Sequence, residues 1–201
     1  MFKLVSSAKE IVSMKSMRGQ RVAVDYGIWL MQFINSGNGS VNIHLEGTMI
    51  RLLRLMKEGV RVVIVLEKYD FSIPTRTITK ELLDDVEQML QVMKIPYITA
   101  SNNAEECCSY LENNGFVDAT ISEDSDSLLY GSKRLYRNVF SKDGKIELYT
   151  AEKIESCIGL NRNELISLSF LLGSSETSGV KNIGCKAAID IIKVVSQKRS
   201  S

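Results

Sequence analysis

TISEDSDSLLYG, residues 120–131, joins the end of an apolar strand pattern to three carboxylates within four positions. Apolar residues alternate with polar ones from Val117 to Ile121, which predicts a buried strand with acids at its carboxyl end. Because closely spaced carboxylates repel one another, such a segment favours a bound cation. If the extended conformation continues, Asp124 and Asp126 share one face, and their oxygens suit Mg²⁺. The alternative is an acid-rich helix cap that is exposed to solvent.

Two further carboxylates follow apolar strand patterns elsewhere in the chain. Asp25 ends the pattern 21–25, and Glu67 comes directly after the pattern 62–66. Strand and helix patterns alternate along the chain, which predicts an α/β fold with a mainly parallel, twisted sheet flanked by helices on both faces. In such a sheet the carboxyl ends of the strands meet at one edge, so we expect these acids to converge there. Glu105, in the first turn of a predicted helix, can join them from the side.

The helix and strand patterns also predict the core and the domain organisation. Helix patterns cover 3–14, 28–34, 49–56, 79–93, 103–113, 151–158, 163–172 and 185–196. Strand patterns cover 21–25, 62–66, 97–99, 117–121, 135–140 and 146–149. The residues expected to face the core of three helices are Trp29, Phe33, Met49, Leu52, Leu53, Met56, Leu82, Val86, Met89, Leu90 and Met93. We expect an α/β core over residues 1–158 and a helical region over 159–201.

Composition excludes several classes of function. The net charge of +1 gives no global basic field, and the four cysteines form neither a disulfide framework nor paired CxxC spacing for zinc. We therefore expect a reduced intracellular protein, and charged residues near the N-terminus argue against a signal peptide or membrane span. His44 is the only histidine, and no Walker-type or GxGxxG loop is present, so neither a Ser-His-Asp site nor a nucleotide-binding loop is predicted.

A second motif, GVKNIGCKAA at residues 179–188, lies in a segment with a local charge of +4 between residues 179 and 201. A glycine turn that leads into a helix offers backbone N–H groups to a phosphate, and the helix dipole favours the anion. Gly179, Lys181, Gly184 and Lys186 are therefore candidate DNA-binding residues, which would position a backbone without reading its sequence. The alternative is an ordinary helix start with surface lysines.

Taken together, these motifs resemble the flap endonuclease/XPG superfamily of structure-specific 5′ nucleases, and most closely its XPG branch. RVAVDYGIWL is similar to the first strand and aspartate of the family, and SEDSDSLLYG to its internal acidic motif. IPYITA leads into a segment where the family has a Glu-Ala-Glu motif, and the segment from Leu171 to Ala188 is similar to its helix-hairpin-helix region. The resemblance implies a PIN-like 5′-nuclease core with a C-terminal helix-hairpin-helix.

The chain departs from the family in its acids. Asp25, Glu105, Asp124 and Asp126 match, and the other expected positions hold Glu67 for aspartate, Asn103 for glutamate and Ser175 for aspartate, with Glu176 one residue away. A less anionic set of ligands is expected to bind Mg²⁺ more weakly.

The segment that forms an arch in the family also departs from its pattern. Only about a dozen residues separate Glu67 from the helix 79–93, and Pro74 stands where a catalytic lysine is expected. Arg76 and Lys80 are nearby but out of register, and Phe2 replaces the usual glycine. The resemblance therefore implies a partly degraded active site without an arch.

Three functional hypotheses follow. The resemblance implies a DNA-repair endonuclease that cuts branched or bubble DNA in the nucleus, with two Mg²⁺ or Mn²⁺ ions at Asp25, Glu67, Glu105, Asp124 and Asp126 and a monovalent ion at the hairpin. The second hypothesis is a catalytically impaired relative that binds DNA through the glycine hairpin. The third is a PIN-like ribonuclease, against which the hairpin argues, since the resembling family uses it on duplex DNA.

Overall fold

The computed structural model describes residues 4–36, 42–68, 78–174 and 177–199. Within these ranges the strands are β1 (Glu10–Val12), β2 (Arg21–Asp25), β3 (Arg61–Glu67), β4 (Tyr97–Ala100), β5 (Ala119–Ile121), β6 (Arg134–Arg137) and β7 (Ile146–Thr150). The α-helices are α1 (Tyr26–Asn35), α2 (Ile43–Lys57), α3 (Lys80–Val92), α4 (Ala104–Asn113), α5 (Asp126–Tyr130), α6 (Ala151–Ile158), α7 (Arg162–Leu172) and α8 (Cys185–Arg199). None of these helices is long and apolar enough to cross a lipid bilayer.

The described strands form one seven-stranded sheet in the order β1-β7-β6-β5-β2-β3-β4. The central pairs are parallel, namely β6 with β5, β5 with β2, β2 with β3 and β3 with β4. Only β1 and β6 pair with β7 in the antiparallel direction. The sheet is therefore mainly parallel, and β5, β2, β3 and β4 all end at the same edge.

Helices cover both faces of the sheet because successive side chains of a strand point to opposite faces. Val22 and Val24 of β2 belong to one apolar cluster with Trp29 of α1. Ala23, which lies between them in the chain, packs with Cys108 of α4 in a different cluster. Helices α1, α2 and α3 thus cover one face and α4 covers the other. This arrangement confirms the predicted α/β fold.

The predicted core positions of α1 and α3 are confirmed. Trp29 and Phe33 are buried in the cluster below α1. Val86 and Leu90 are fully buried under α3, and the other predicted residues of that face are half-buried: Leu82, Met89 and Met93.

The last two helices share an apolar cluster with the antiparallel end of the sheet. Leu165 and Leu168 of α7 and Ile192 of α8 pack with Leu135 of β6 and Tyr149 of β7. The helices at 151–158, 163–172 and 185–196 were predicted from the sequence and are present. The division of the chain at residue 158 remains a prediction.

The helix predicted over residues 3–14 is wrong for the part that the structure describes. Residues Ser6–Ala8 and Met14–Met17 form short 3-10 helices, and β1 lies between them. β1 pairs with β7, with Ile11 opposite Glu147. Local apolar spacing suggested a helix, but the free edge of β7 offers backbone hydrogen bonds to an extended segment, and this tertiary contact prevails.

The predicted buried stripe of α2 is also wrong, although the helix itself is present. Met49, Leu53 and Met56 are about half exposed, and of the four predicted residues only Leu52 is buried. The inward face carries polar residues beside its buried leucines. The Thr48 hydroxyl lies 2.9 Å from the Tyr26 hydroxyl, so polar groups inside the fold have partners that the apolar pattern could not indicate.

On that inward face of α2, the Arg51 guanidinium carbon is 4.5 Å from the ring centroid of Phe33. It is 5.1 Å from the centroid of Trp29 and 4.8 Å from that of Phe140. These cation–π contacts join α1 and α2 to the turn after β6, and burial lowers the pKa of Arg51 to about 10. A charged residue that the predicted apolar stripe did not include is therefore half-buried against aromatic rings.

Candidate active site

The five predicted acids all lie at the carboxyl edge of neighbouring strands. Asp25 is the last residue of β2 and Glu67 the last of β3. Glu105 is the second residue of α4, which follows β4. Asp124 and Asp126 follow β5, and Asp126 is the first residue of α5. The parallel pairing of these strands thus delivers acids from four different elements to one rim of the sheet.

These acids are close enough to influence one another. Burial, followed by the charge of Glu105, raises the pKa of Asp25 to about 7, and Glu67 and Asp124 contribute in the same direction. Burial also raises the pKa of Glu105, with the charges of Asp124, Glu67 and Asp126 acting alongside it. We call these five carboxylates together the acid rim.

A short chain of hydrogen bonds fixes the acidic loop beside Asp25. The Ser122 hydroxyl donates to Asp25 Oδ2 at 2.8 Å and accepts from the Asp124 backbone N–H at 3.0 Å. The Asp126 N–H donates to Asp124 Oδ1 at 2.8 Å. The sequence did not point to Ser122, since a serine after a strand is common, and only the coordinates show that it joins two strands.

The expectation that Asp124 and Asp126 share the face of an extended segment is wrong. β5 ends at Ile121, and Asp126 already belongs to α5. Asp124 lies just before α5, whose N-cap is Ser125, and the acids are not solvated in the way that the helix-cap alternative assumed. Asp126 is 9% exposed and Asp25 is 2% exposed.

Glu123, the third carboxylate of the segment, points away from the acid rim. Its Oε1 accepts from the Asn138 backbone N–H at 2.8 Å, and its Oε2 lies 3.3 Å from Arg137 Nε. Arg137 also pairs with Glu147 of β7 at 3.0 Å. Glu123 thus ties the acidic loop to the antiparallel end of the sheet.

The donor set of the acid rim fits a hard divalent cation. Its side chains supply carboxylate oxygens, the ligands that Mg²⁺ prefers, and Glu105 Oε2 is buried without a hydrogen-bond partner. Among the described residues, however, no three His, Cys, Asp or Glu side chains are gathered closely enough to form a ligand group.

A cavity of about 610 Å³ opens beside the acid rim. Asp25, Glu67 and Glu105 lie along one side of it, and α1 supplies Ile28 and Met31 on the other. The cavity is therefore both acidic and apolar, which leaves room for a substrate next to the carboxylates.

The departures from the family pattern are only partly within the described residues. Asn103 is the N-cap of α4, and its side-chain oxygen accepts from the Glu106 N–H at 3.1 Å. This asparagine therefore has a structural partner of its own. Lys80 begins α3 and lies 3.9 Å from Asp84. The other departures fall outside the described residues: Phe2, Pro74, Arg76, Ser175 and Glu176.

The predicted DNA-binding hairpin connects α7 to α8. Lys181, Gly184 and Lys186 are exposed. Gly179 has a φ of +70°, and a Cβ there would lie 2.6 Å from the Gly173 backbone nitrogen. Gly179 therefore serves a close approach of two backbone segments, which only glycine permits. Its predicted contact with DNA and the monovalent ion at the hairpin remain predictions.

The chain is similar to known nucleases over nearly its whole length. Residues 94–175 match the XPG I-region family. Flap endonuclease GEN homolog 1 from Homo sapiens is 28% identical over 224 residues, which cover 97% of this chain and 25% of that protein. The chain thus spans about a quarter of the length of this relative.

Two solved structures extend the similarity to three dimensions. The catalytic core of Rad2 in complex with DNA substrate superposes with a TM-score of 0.87 and is 31% identical, covering 98% of this chain and 68% of that one. The Holliday junction-resolving enzyme GEN1, in complex with product DNA and a Mg²⁺ ion, gives a TM-score of 0.79 and 26% identity, covering 96% and 50%. On the fold and on these relatives, the chain belongs to the XPG/flap endonuclease superfamily of structure-specific 5′ nucleases.

Proposed function

We propose that this protein is a divalent-metal-dependent endonuclease of the XPG branch that cuts branched or bubble DNA. Asp25, Glu67, Glu105, Asp124 and Asp126 would hold two Mg²⁺ or Mn²⁺ ions at the acid rim. A role in DNA repair belongs to the same proposal, because a relative that is 38% identical over 115 residues is named DNA repair protein RAD2, from Saccharomyces cerevisiae.

The observation that carries the proposal is the convergence of acids from four elements on one rim. Asp25 is buried, and its pKa is raised by burial and by Glu105, so the isolated site resists full ionisation. Because clustering disfavours the ionised form of these carboxylates, it lowers the stability of the folded protein, and bound cations would offset this cost. The unpartnered Oε2 of Glu105 supports the same interpretation, because a buried carboxylate oxygen normally has a partner.

The residues of the chain have distinct parts in this mechanism. Bound divalent ions would supply an activated water and stabilise the leaving oxygen of a phosphodiester. Asp25 is held in place by the Ser122 hydroxyl, and Asp124 by its contact with the Asp126 N–H. Ile28 and Met31 of α1 form the apolar wall of the adjoining cavity, which would shield the reacting phosphate from bulk water.

We assign backbone contacts with the duplex to the hairpin between α7 and α8. Lys181 is exposed in a turn in which Asn182 has a φ of +66°, and Lys186 is exposed in the first turn of α8. The N–H groups at the start of α8 and these two lysines would together bind phosphate without reading the sequence.

The first experiment is a cleavage assay with purified protein on a panel of flap, bubble and linear DNA substrates in Mg²⁺ or Mn²⁺. We expect incisions in the branched or bubble substrates, none in the linear duplex, and none when a chelator is present. Cleavage that persists in the chelator would contradict the metal mechanism. Equal cleavage of a linear duplex would contradict the structural specificity.

We expect Lys181→Glu with Lys186→Glu to weaken duplex binding and to flatten its salt dependence. Each phosphate contact contributes about 0.9 to the slope of log K against log salt, so the loss of two contacts should reduce its magnitude by about 2. Fluorescence anisotropy at several salt concentrations measures the slope. The matched control is Lys57→Glu with Lys94→Glu. These two lysines lie near the starts of β3 and β4, at the edge of the sheet opposite the acid rim. An unchanged slope in the hairpin variant would remove the hairpin from the interface.

The second candidate is a DNA-binding relative with little or no catalysis. Asn103 favours it, because a neutral residue engaged in capping α4 stands where the family has a carboxylate. This candidate predicts that the protein shifts junction DNA in a gel but cuts none of the panel in either metal. Cleavage by the wild-type protein would exclude it.

A further inference from the structure

Glu112 is a buried carboxylate that lies outside the acid rim. It belongs to α4, seven residues and thus about two helical turns after Glu105. Glu112 is 6% exposed, and an ionised group so deeply buried is costly unless donors surround it. Its surroundings are therefore informative about what it holds in place.

The donors to Glu112 come from the segments that flank the acidic loop and α5. The Thr120 hydroxyl of β5 donates to Oε2 at 3.2 Å, and β5 leads directly into the acidic loop. The Arg134 backbone N–H, at the start of β6, donates to Oε1 at 2.7 Å. Ser132, in the turn after α5, donates to Thr120 Oγ1 at 3.1 Å. One carboxylate thus joins α4, β5 and the turn that follows α5.

A serine of α4 completes the connection to α5. The Ser109 hydroxyl donates to the Ser127 carbonyl oxygen at 3.2 Å and lies 3.0 Å from the Ser132 hydroxyl. Ser127 is the residue after Asp126. The residue next to Asp126 is therefore linked to α4 through the Ser109 hydroxyl.

We propose that Glu112, with Ser109, is a positioning residue that fixes the elements carrying Glu105, Asp124 and Asp126 relative to one another before metal and DNA bind. This inference rests on the proposed function for its role in the reaction. The carboxylates of the rim repel one another and do not hold their own spacing, whereas the network behind them has complementary donors and acceptors. The network around Glu112 would orient the carboxylates that bind the metal without contacting the metal itself.

The pKa of Glu112 is consistent with this role. Burial raises it to about 6, and hydrogen bonds from Arg134 and Thr120 act in the opposite direction. At about pH 8 the side chain is therefore a carboxylate and accepts from all of these donors.

The test compares Glu112→Met, Glu112→Gln and Ser109→Ala, with Glu152→Met as a control on the exposed side of α6. Binding of Mn²⁺ without DNA is measured by calorimetry, and kcat and KM are measured on the best substrate. We expect Glu112→Met to weaken Mn²⁺ binding and lower kcat by about tenfold or more, with KM for DNA within about twofold of wild type. Ser109→Ala should act in the same direction by a smaller factor. In Glu112→Gln the amide oxygen can still accept from the Arg134 N–H. We therefore expect its Mn²⁺ affinity and kcat to stay closer to wild type than those of Glu112→Met.

Hydrogen exchange of the Asp126–Tyr130 amides provides a readout that needs neither metal nor DNA. We expect faster exchange there in Glu112→Met and Ser109→Ala, with exchange in β2 unchanged. A folded Glu112→Met protein with wild-type Mn²⁺ affinity and wild-type exchange would overturn the proposal. If Glu112→Met does not fold, wild-type values in Ser109→Ala would overturn it instead. Wild-type protein that binds no Mn²⁺ and cuts nothing defeats the proposed function, while the exchange comparison still decides the positioning role.

Discussion

Asp124→Asn with Asp126→Asn is expected to abolish metal-dependent cleavage, with a loss of at least about a thousandfold. The two substitutions remove two negative charges from the acid rim while keeping the size of the side chains. The amide oxygen of the asparagine introduced at position 124 can still accept from the backbone N–H of residue 126, so α5 should keep its start. Cleavage rates under single-turnover conditions measure the effect directly.

The matched control is Asp84→Asn with Asp143→Asn, which removes two exposed carboxylates from α3 and from the turn between β6 and β7. This control has the same change in net charge and should cut at the wild-type rate. Binding to branched DNA in Ca²⁺ should be retained by both proteins. If the Asp124/Asp126 variant cuts as fast as the control, these acids take no part in the chemistry.

Asp25→Asn is expected to stabilise the metal-free protein at pH 8 while it eliminates cleavage. The pKa of Asp25 in the folded state is about 7, above its ordinary value of 3.8, so the folded protein binds this proton more tightly than the unfolded chain does. Ionisation therefore costs stability as the pH rises from about 4 to about 7, and the full cost is present above pH 7. Asparagine carries no charge and can still accept from Ser122.

We expect a gain on the order of 2 kcal/mol at pH 8, or roughly 4–8 °C in the melting temperature. The gain should be smaller at pH 5, where the folded wild type keeps the proton. Thermal unfolding in a chelator at both pH values measures it. Adding Mn²⁺ should raise the melting temperature of the wild type more than that of the variant.

Asp118→Asn provides a control of opposite sign. Hydrogen bonds from Arg21 hold the pKa of Asp118 at about 2, so this carboxylate is favoured in the folded state. Its replacement should lower the melting temperature or leave it unchanged. If Asp25→Asn also lowers the melting temperature at pH 8, burial and the neighbouring acids do not disfavour the ionised form of Asp25 as described.

The sequence predicted the central sheet because its strand patterns are unambiguous. Residues 22–24 and 62–66 are continuous apolar runs that are each followed directly by an acid, and parallel pairing then places both acids at one edge. The helix pattern over residues 103–113 added Glu105, and the family resemblance added the order of the motifs. The apolar patterns and the rules of parallel sheets were therefore enough to predict both the fold and the edge of the sheet at which the acids lie.

Contacts between distant parts of the chain could not be predicted in the same way. Residues Glu10–Val12 form a strand only because the edge of β7 is free, and no local pattern carries that information. Arg51 of α2 packs against the rings of Phe33 and Phe140, and the apolar spacing within the helix does not indicate these contacts. Glu112 looks like an ordinary surface glutamate in the sequence, and its burial depends on hydroxyl groups from two other elements.

The central claim is that acids from four elements of the chain bind divalent metal at one rim of the sheet. Anomalous diffraction from crystals soaked in Mn²⁺ tests it most directly. We predict at least one peak within about 2.1–2.3 Å of carboxylate oxygens from Asp25, Glu105 or Asp126. Saturated crystals with no anomalous peak at the acid rim would contradict the claim.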